Sequence, residues 1–179
     1  IHLSGAADKN PISRGAPITR AMEDQCLIAW AMNGEDIPLL HGHPLRLVIP
    51  GMPGSCSGKW LNRIMVRDRV HDGAKMGGKA YRMPCNPVAP GTAVPDEAMC
   101  IIEEMPVKSL ITFPQSGIDH PGTRPLVVRG HAWTGRGTIQ HVNVSKDFGA
   151  TWSKTRLNPP KNQYAWQRFS AELNFEKPG

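Results

Sequence analysis

Long apolar runs are missing from this chain: no segment approaches the ~18–20 consecutive apolar residues that a membrane-spanning helix requires. No membrane span is therefore expected. Aromatic residues are scarce, at 6% of 179 residues, and five of them are tryptophan. Charge of one sign is nowhere concentrated: the formal net charge is +6, but the basic residues are scattered, without aromatic interleaving and without a recognised nucleic-acid motif. Such a balance points away from nucleic acid and toward a pocket for a small oxyanion. Cysteine is sparse as well. Cys26, Cys56, Cys85 and Cys100 stand 30, 29 and 15 positions apart, which excludes a CxxC pair or a zinc-type Cys/His cluster built from local spacing. A zinc site is not expected among them. Four thiols permit two disulfides, but the spacing selects none of the pairings and free buried thiols fit equally well.

What is abundant is glycine and proline, 18 and 17 residues, which argues against long helices and for strands and loops. With 40% hydrophobic residues the chain can still build a core, so a mixed α+β, β-rich fold is expected. The chain opens on Ile1 and not on Met, so a fragment or a processed product is expected, with any targeting signal upstream. Ile1-His2-Leu3 reads as the end of a strand.

Pro17 can open a short helix through Ile18 to Met22. The apolar stretch Leu27 to Met32 ends at Asn33-Gly34, a hairpin-type turn. Leu45 to Ile49 and Lys59 to Val66 read as strands, while residues 71 to 98 read as irregular, broken by glycine and proline throughout. After Met105-Pro106 the texture changes to short β segments at Val107–Thr112, Leu126–Val128, Ile139–Val144 and Trp166–Leu173, at the spacing of a β-sandwich. This places two domains, 1–106 and 107–179. Ser145 to Trp152, SKDFGATW, reads as a strand, an Asp/Gly turn and a strand with an inward Trp.

The chemistry concentrates in His41 to Leu61, HGHPLRLVIPGMPGSCSGKWL, where a His, an Arg and a Lys hang on a glycine-punctuated apolar frame. Arg offers a planar fork of donors and Lys a point charge, and the glycines let backbone N–H groups approach an anion. Together these residues suit a phosphate-bearing ligand. Taken singly, each has an ordinary reading: His41 as a turn histidine, Arg46 as a solvated strand-edge cation, Lys59 as a snorkelling strand residue.

HGHPLR followed by LVIPG and GKWL resembles the signature of the molybdenum-containing sulfite oxidase family. MPVKSLIT resembles the start of that family's dimerisation domain, GHAWTGRGTIQHVNVSKDFGATW its first immunoglobulin-like strands, and GAPITRAMEDQCLIAWAMNGEDIP the helix and hairpin ahead of the signature. The resemblance runs from about Gly15 to Phe169. It implies the C-terminal part of a molybdopterin-binding domain followed by an immunoglobulin-like sandwich, both incomplete; only 73 residues follow the boundary, against the ~100 of such a sandwich.

Carried over residue by residue, the resemblance makes His41, Arg46 and Lys59 cofactor-binding, with Ser57 and His43 in the same run and Ser57 joining the candidate set. Tyr81, in GKAYRMP, is similar in its surroundings to the family's active-site tyrosine, and a phenol can donate to a reacting oxyanion without adding negative charge. Arg82 beside it adds positive potential and no assigned role. None of the four cysteines has the family's metal-ligating context. The implied activity is oxidation of sulfite to sulfate by oxygen-atom transfer at a molybdenum-molybdopterin cofactor. Electrons pass to a cytochrome-type acceptor, with haem on a partner or fused domain, in a periplasmic homodimer. A sulfane dehydrogenase or nitrate reductase of the same fold is the near alternative; a non-catalytic dimerisation or binding fragment is the alternative of another class, favoured by the missing metal-ligating cysteine.

Overall fold

A computed structural model describes residues 2–5, 12–73 and 75–175 of the chain. The chain folds as two compact units, Ile1–Met105 and Pro106–Gly179.

The first unit begins with β1 (His2–Gly5) and β2 (Ile12–Gly15); His2 and Leu3 thus open a strand instead of ending one, because pairing with β2 carries it on to Gly5, and Ile1 lies outside the described residues. Pro17, with φ fixed near the helical value, precedes a single turn of helix, α1 (Ile18–Ala21). Arg20 from this helix is buried, donates from Nη1 to the Glu23 carboxylate and from Nη2 to the Pro50 carbonyl at 2.9 Å, and so ties the helix to the loop that carries the site. The apolar stretch that follows splits into β3 (Leu27–Ala29) and β4 (Ala31–Met32), and β4 turns through Asn33 and Gly34, at φ 56° and 85°, into β5 (Glu35–Asp36). Two successive left-handed residues are what an Asn-Gly hairpin turn demands.

β6 (Arg46–Val48) pairs antiparallel with β3, and β7 (Leu61–Met65) pairs with β1, which is thereby central in a three-stranded sheet ordered β2-β1-β7. The region expected to be irregular from 71 to 98 contains one further strand, β8 (Arg82–Pro84), paired with β9 (Met99–Ile101). A disulfide between Cys85 and Cys100 closes that hairpin, while Cys26 and Cys56 remain free thiols. Ala16, Leu47, Ile49, Met52 and Cys56 form the core, with Cys26 and Leu61 packed against it. This core draws Leu47, Ile49, Met52 and Cys56 from the His41–Leu61 run itself, so the run has a fixed floor.

In the second unit β10 (Lys108–Phe113) pairs with the long β11 (Leu126–Trp133). Short strands follow, β12 (Asn143–Val144), β13 (Ser153–Lys154) and β14 (Arg156–Leu157), and then β15 (Gln167–Leu173). The main sheet runs β10-β11-β15-β14, and β12 with β13 makes a separate hairpin. Val128, Gly130 and Ala132 of β11 face inward by strict alternation, with Arg129 outside. Gly130 is needed there: a Cβ would collide with both the Leu110 carbonyl oxygen and the Phe169 ring. Phe169 and Ala132 from this sheet pack against Ile139 and Val144 to make the second core.

Trp152 departs from the sequence expectation. It is 63% exposed, because the strands at this point cover only 143–144 and 153–154 and the indole folds back over the turn, Nε1 donating to the Gly149 carbonyl at 3.0 Å. Asp147 organises this turn through bonds accepted from Thr151 and Ser145, with Thr151 the larger influence, and its carboxyl is held down at about 2. A depressed carboxylate stabilises the fold above its unfolded value near 4 and loses that contribution as pH falls toward 2. Acid melts of the wild type and Asp147→Asn are thus expected to diverge above about pH 4 and converge by about pH 2. Parallel curves across that window would refute the assignment.

Candidate functional site

The His41–Leu61 run closes on itself. A 3-10 turn over Leu39–His41 ends at Gly42, buried and left-handed at φ 115°. A Cβ at Gly42 would lie 3.0 Å from the Lys59 Cα and 3.1 Å from the Arg46 Cβ. Only glycine lets these two basic positions draw together at that point. Backbone bonds lock the approach: Leu47 N–H donates to the Gly58 carbonyl and Leu61 N–H to the Leu45 carbonyl, each at 2.8 Å.

Arg46 braces the loop from within, Nη1 donating to the His41 carbonyl at 3.1 Å and Nη2 to the Ser57 carbonyl at 3.2 Å. Its Nε is buried and has no hydrogen-bond partner among the described residues. Ser57 Oγ accepts the Ile49 N–H at 3.0 Å, and Lys59 Nζ donates to the Leu40 carbonyl at 2.9 Å while lying 4.7 Å from the Trp60 ring centroid. His41 and His43 are exposed on the turn. Among the described residues neither Arg46 nor Lys59 forms an ion pair. Two cations without a carboxylate partner among the described residues, one with an orphaned donor, are poised for an added anion. The residues present therefore fit an anionic group such as a phosphate.

His41, Arg46, Ser57 and Lys59 thus come together in one loop. Tyr81 sits with a different set. Its hydroxyl accepts from Arg14 Nη2 at 3.0 Å, and the Arg14 guanidinium lies 4.2 Å from its ring centroid. Arg14 Nε donates to Ser55 Oγ at 3.1 Å, and Ser55 belongs to the 3-10 turn Gly54–Cys56, two positions before Ser57. Hydrogen bonding from Ser55, then from Arg14, draws the Tyr81 phenol below its ordinary range. Burial holds the neighbouring Cys56 thiol high, and so protonated and inert. Arg82 points elsewhere, Nε donating to the Gly78 carbonyl at 2.6 Å.

Arg14, Ser55 and His71 escaped the sequence reading. The buried His71 ring has Nδ1 3.1 Å from Arg67 Nη1 and Nε2 2.8 Å from Ser13 Oγ. Arginine can only donate, so Nδ1 accepts from Arg67, and Nε2 faces the Ser13 hydroxyl. Glycines make room for the ring: a Cβ at Gly15 or at Gly73 would collide with His71 atoms. Nothing local marked Arg14.

Residues 1–75 match the family model of the oxidoreductase molybdopterin binding domain, and residues 99–177 that of the Mo-co oxidoreductase dimerisation domain. The chain is 33% identical over 160 residues to mitochondrial sulfite oxidase of Rattus norvegicus, covering 84% of this chain and 28% of that protein. It is 34% identical over 174 residues to sulfite oxidase of Gallus gallus, with 93% and 37% covered. An NADPH nitrate reductase of Mycosarcoma maydis is 33% identical over 162 residues, 79% of this chain and 16% of that one. The sulfane dehydrogenase SoxCD from Paracoccus pantotrophus superposes with a TM-score of 0.76 at 30% identity, over 98% of this chain and 42% of its own. The chain thus spans less than half the length of each of these relatives.

Proposed function

The chain belongs to the molybdopterin oxidoreductase family that includes the sulfite oxidases, and on that premise we propose that the whole protein oxidises sulfite to sulfate, passing electrons to a cytochrome-type acceptor. The observation that carries this reading is the closed basic loop, where Arg46 keeps a buried unpartnered Nε beside an unpaired charge and Lys59 stands across Gly42. When bound, the molybdenum cofactor supplies oxygen transfer and two-electron redox chemistry. His41, Arg46, Ser57 and Lys59 would hold its phosphate and pterin edge, Arg46 through its charge and its free Nε–H and Lys59 as a point charge. Tyr81 presents its hydroxyl to the reacting oxyanion, and the net charge of +6 favours approach of an anionic substrate.

The dimerisation-domain match supports a homodimer as the working form. Haem on a partner or a fused domain is the acceptor this proposal expects. The same proposal places the protein in the periplasm. The Cys85–Cys100 disulfide supports it, since such bonds form and persist in oxidising compartments.

Steady-state kinetics of the full-length protein with sulfite, thiosulfate conjugates and nitrate test the assignment. Sulfite turnover is expected, with Tyr81→Phe lowering kcat/KM roughly tenfold through loss of one donor to a charged group. Reduction of nitrate with sulfite untouched would overturn it. A sulfane dehydrogenase is the second reading, favoured by the superposition on SoxCD over 98% of the chain, and turnover of thiosulfate conjugates alone would select it. A non-catalytic module is selected by a complete protein that purifies without molybdenum.

A further inference from the structure

We propose that Arg14 is a positioning residue for Tyr81, clamping the phenol so that its oxygen accepts hydrogen bonds from the protein and its own proton is left as a single donor directed at the substrate. The inference rests on the reading of Tyr81 as the residue facing the reacting oxyanion.

Arg14 is only 3% exposed, and each of its three nitrogens is committed. Nε holds Ser55 Oγ at 3.1 Å, Nη1 the Ser13 carbonyl at 2.7 Å and Nη2 the Tyr81 oxygen at 3.0 Å, while the guanidinium lies against the phenol ring. Such a fork fixes both the position and the rotation of the ring, which a Lys could not do. Ser55 Oγ accepts the Arg14 N–H, and hydrogen bonding from Ser55 also draws the phenol down, so Arg14 and Ser55 act on the same oxygen. A phenol oxygen so occupied keeps only its O–H free.

Charge follows the same geometry. Among the described residues Arg14 has no carboxylate partner, so a buried cation stands unneutralised against the phenol. It favours the phenolate, and with it a more acidic, stronger donor. The other charged and titratable neighbours do not compete. Cys56, from the turn that also carries Ser55, opposes ionisation of Tyr81 only if it is itself ionised, and burial keeps it a thiol; Arg82 is turned to Gly78. The clamp is anchored behind by His71, which holds the Ser13 hydroxyl while Ser13 offers its carbonyl to Arg14.

The test is the ionisation of Tyr81 in the full-length protein, read by 13C NMR of ring-labelled tyrosine and assigned with Tyr81→Phe. Wild-type Tyr81 is expected to titrate below an ordinary tyrosine, and Arg14→Gln and Ser55→Ala each to move it upward. In Arg14→Gln kcat is expected to fall roughly tenfold with KM little changed, since Arg14 does not touch substrate. The alkaline limb of its pH–rate profile moves up with the Tyr81 titration. An unchanged Tyr81 titration in folded Arg14→Gln overturns the clamp, and Ser55→Ala applies the same criterion should Arg14→Gln fail to fold. A shifted titration with an unmoved pH–rate profile upholds the clamp and overturns instead the role of Tyr81 in turnover.

Discussion

Arg46→Ala is expected to weaken retention of the molybdenum cofactor roughly 100-fold, and Lys59→Ala roughly tenfold. The difference comes from geometry. Arg46 joins the two halves of the loop, with Nη1 on the His41 carbonyl and Nη2 on the Ser57 carbonyl, and keeps its buried Nε in reserve. Removing it deletes a charge-assisted contact worth about 1.5–3 kcal/mol and leaves two carbonyls without their donor. Lys59 is exposed, on a flexible stem, and contributes a point charge alone. Arg46→Lys restores charge without the fork, so its retention should fall between the wild type and Arg46→Ala. Molybdenum per protomer through a dilution and dialysis series, alongside a thermal melt to confirm folding, makes the measurement. Wild-type molybdenum content in folded Arg46→Ala would remove this loop from the cofactor site.

The parts of the structure that could be read from sequence are those whose cause is local. Asn33-Gly34 makes a hairpin because both residues tolerate left-handed backbone, and Pro17 opens a helix because its φ is already helical. The basic loop was visible for the same reason, since Gly42, Arg46 and Lys59 lie close together in the chain and the glycine that brings them together is among them. The neighbourhood of Tyr81 had no such local cause. Arg14 reaches Tyr81 across 67 positions, on a strand whose place is set by pairing with β1, so no spacing rule could have linked them.

Trp152 failed for a related reason. Alternation predicts an inward side chain only where a strand continues, and Asp147 gathers Ser145 and Thr151 into a turn that ends the strand early. The cysteine pairing likewise depends on register: Met83 stands opposite Cys100 and Cys85 N–H donates to the Ala98 carbonyl, a relation fixed by β8 and β9 and absent from the spacing of the four thiols.

That pairing leads to the second large effect. Breaking the Cys85–Cys100 bond, by reductant or by Cys85→Ser with Cys100→Ser, is expected to destabilise the hairpin that presents Tyr81 by about 3 kcal/mol, the loop-closure value for a ring spanning 15 positions. β8 and β9 are three residues each, and a two-stranded ribbon so short is marginal by itself. Tyr81 enters β8 directly, and its carbonyl accepts the Ile102 N–H at 3.0 Å, so opening the hairpin releases the backbone that aims the phenol. Loss of stability should therefore come with loss of kcat. Both cysteines are exposed to reductant, whereas burial raises the pKa of Cys26 and Cys56, so this one bond accounts for the response. Denaturant melts with and without dithiothreitol check it: the wild type should shift, and the double serine variant should start at the lower stability and ignore the reductant. A double variant as stable as the oxidised wild type would show that β8 and β9 hold Tyr81 without the bond.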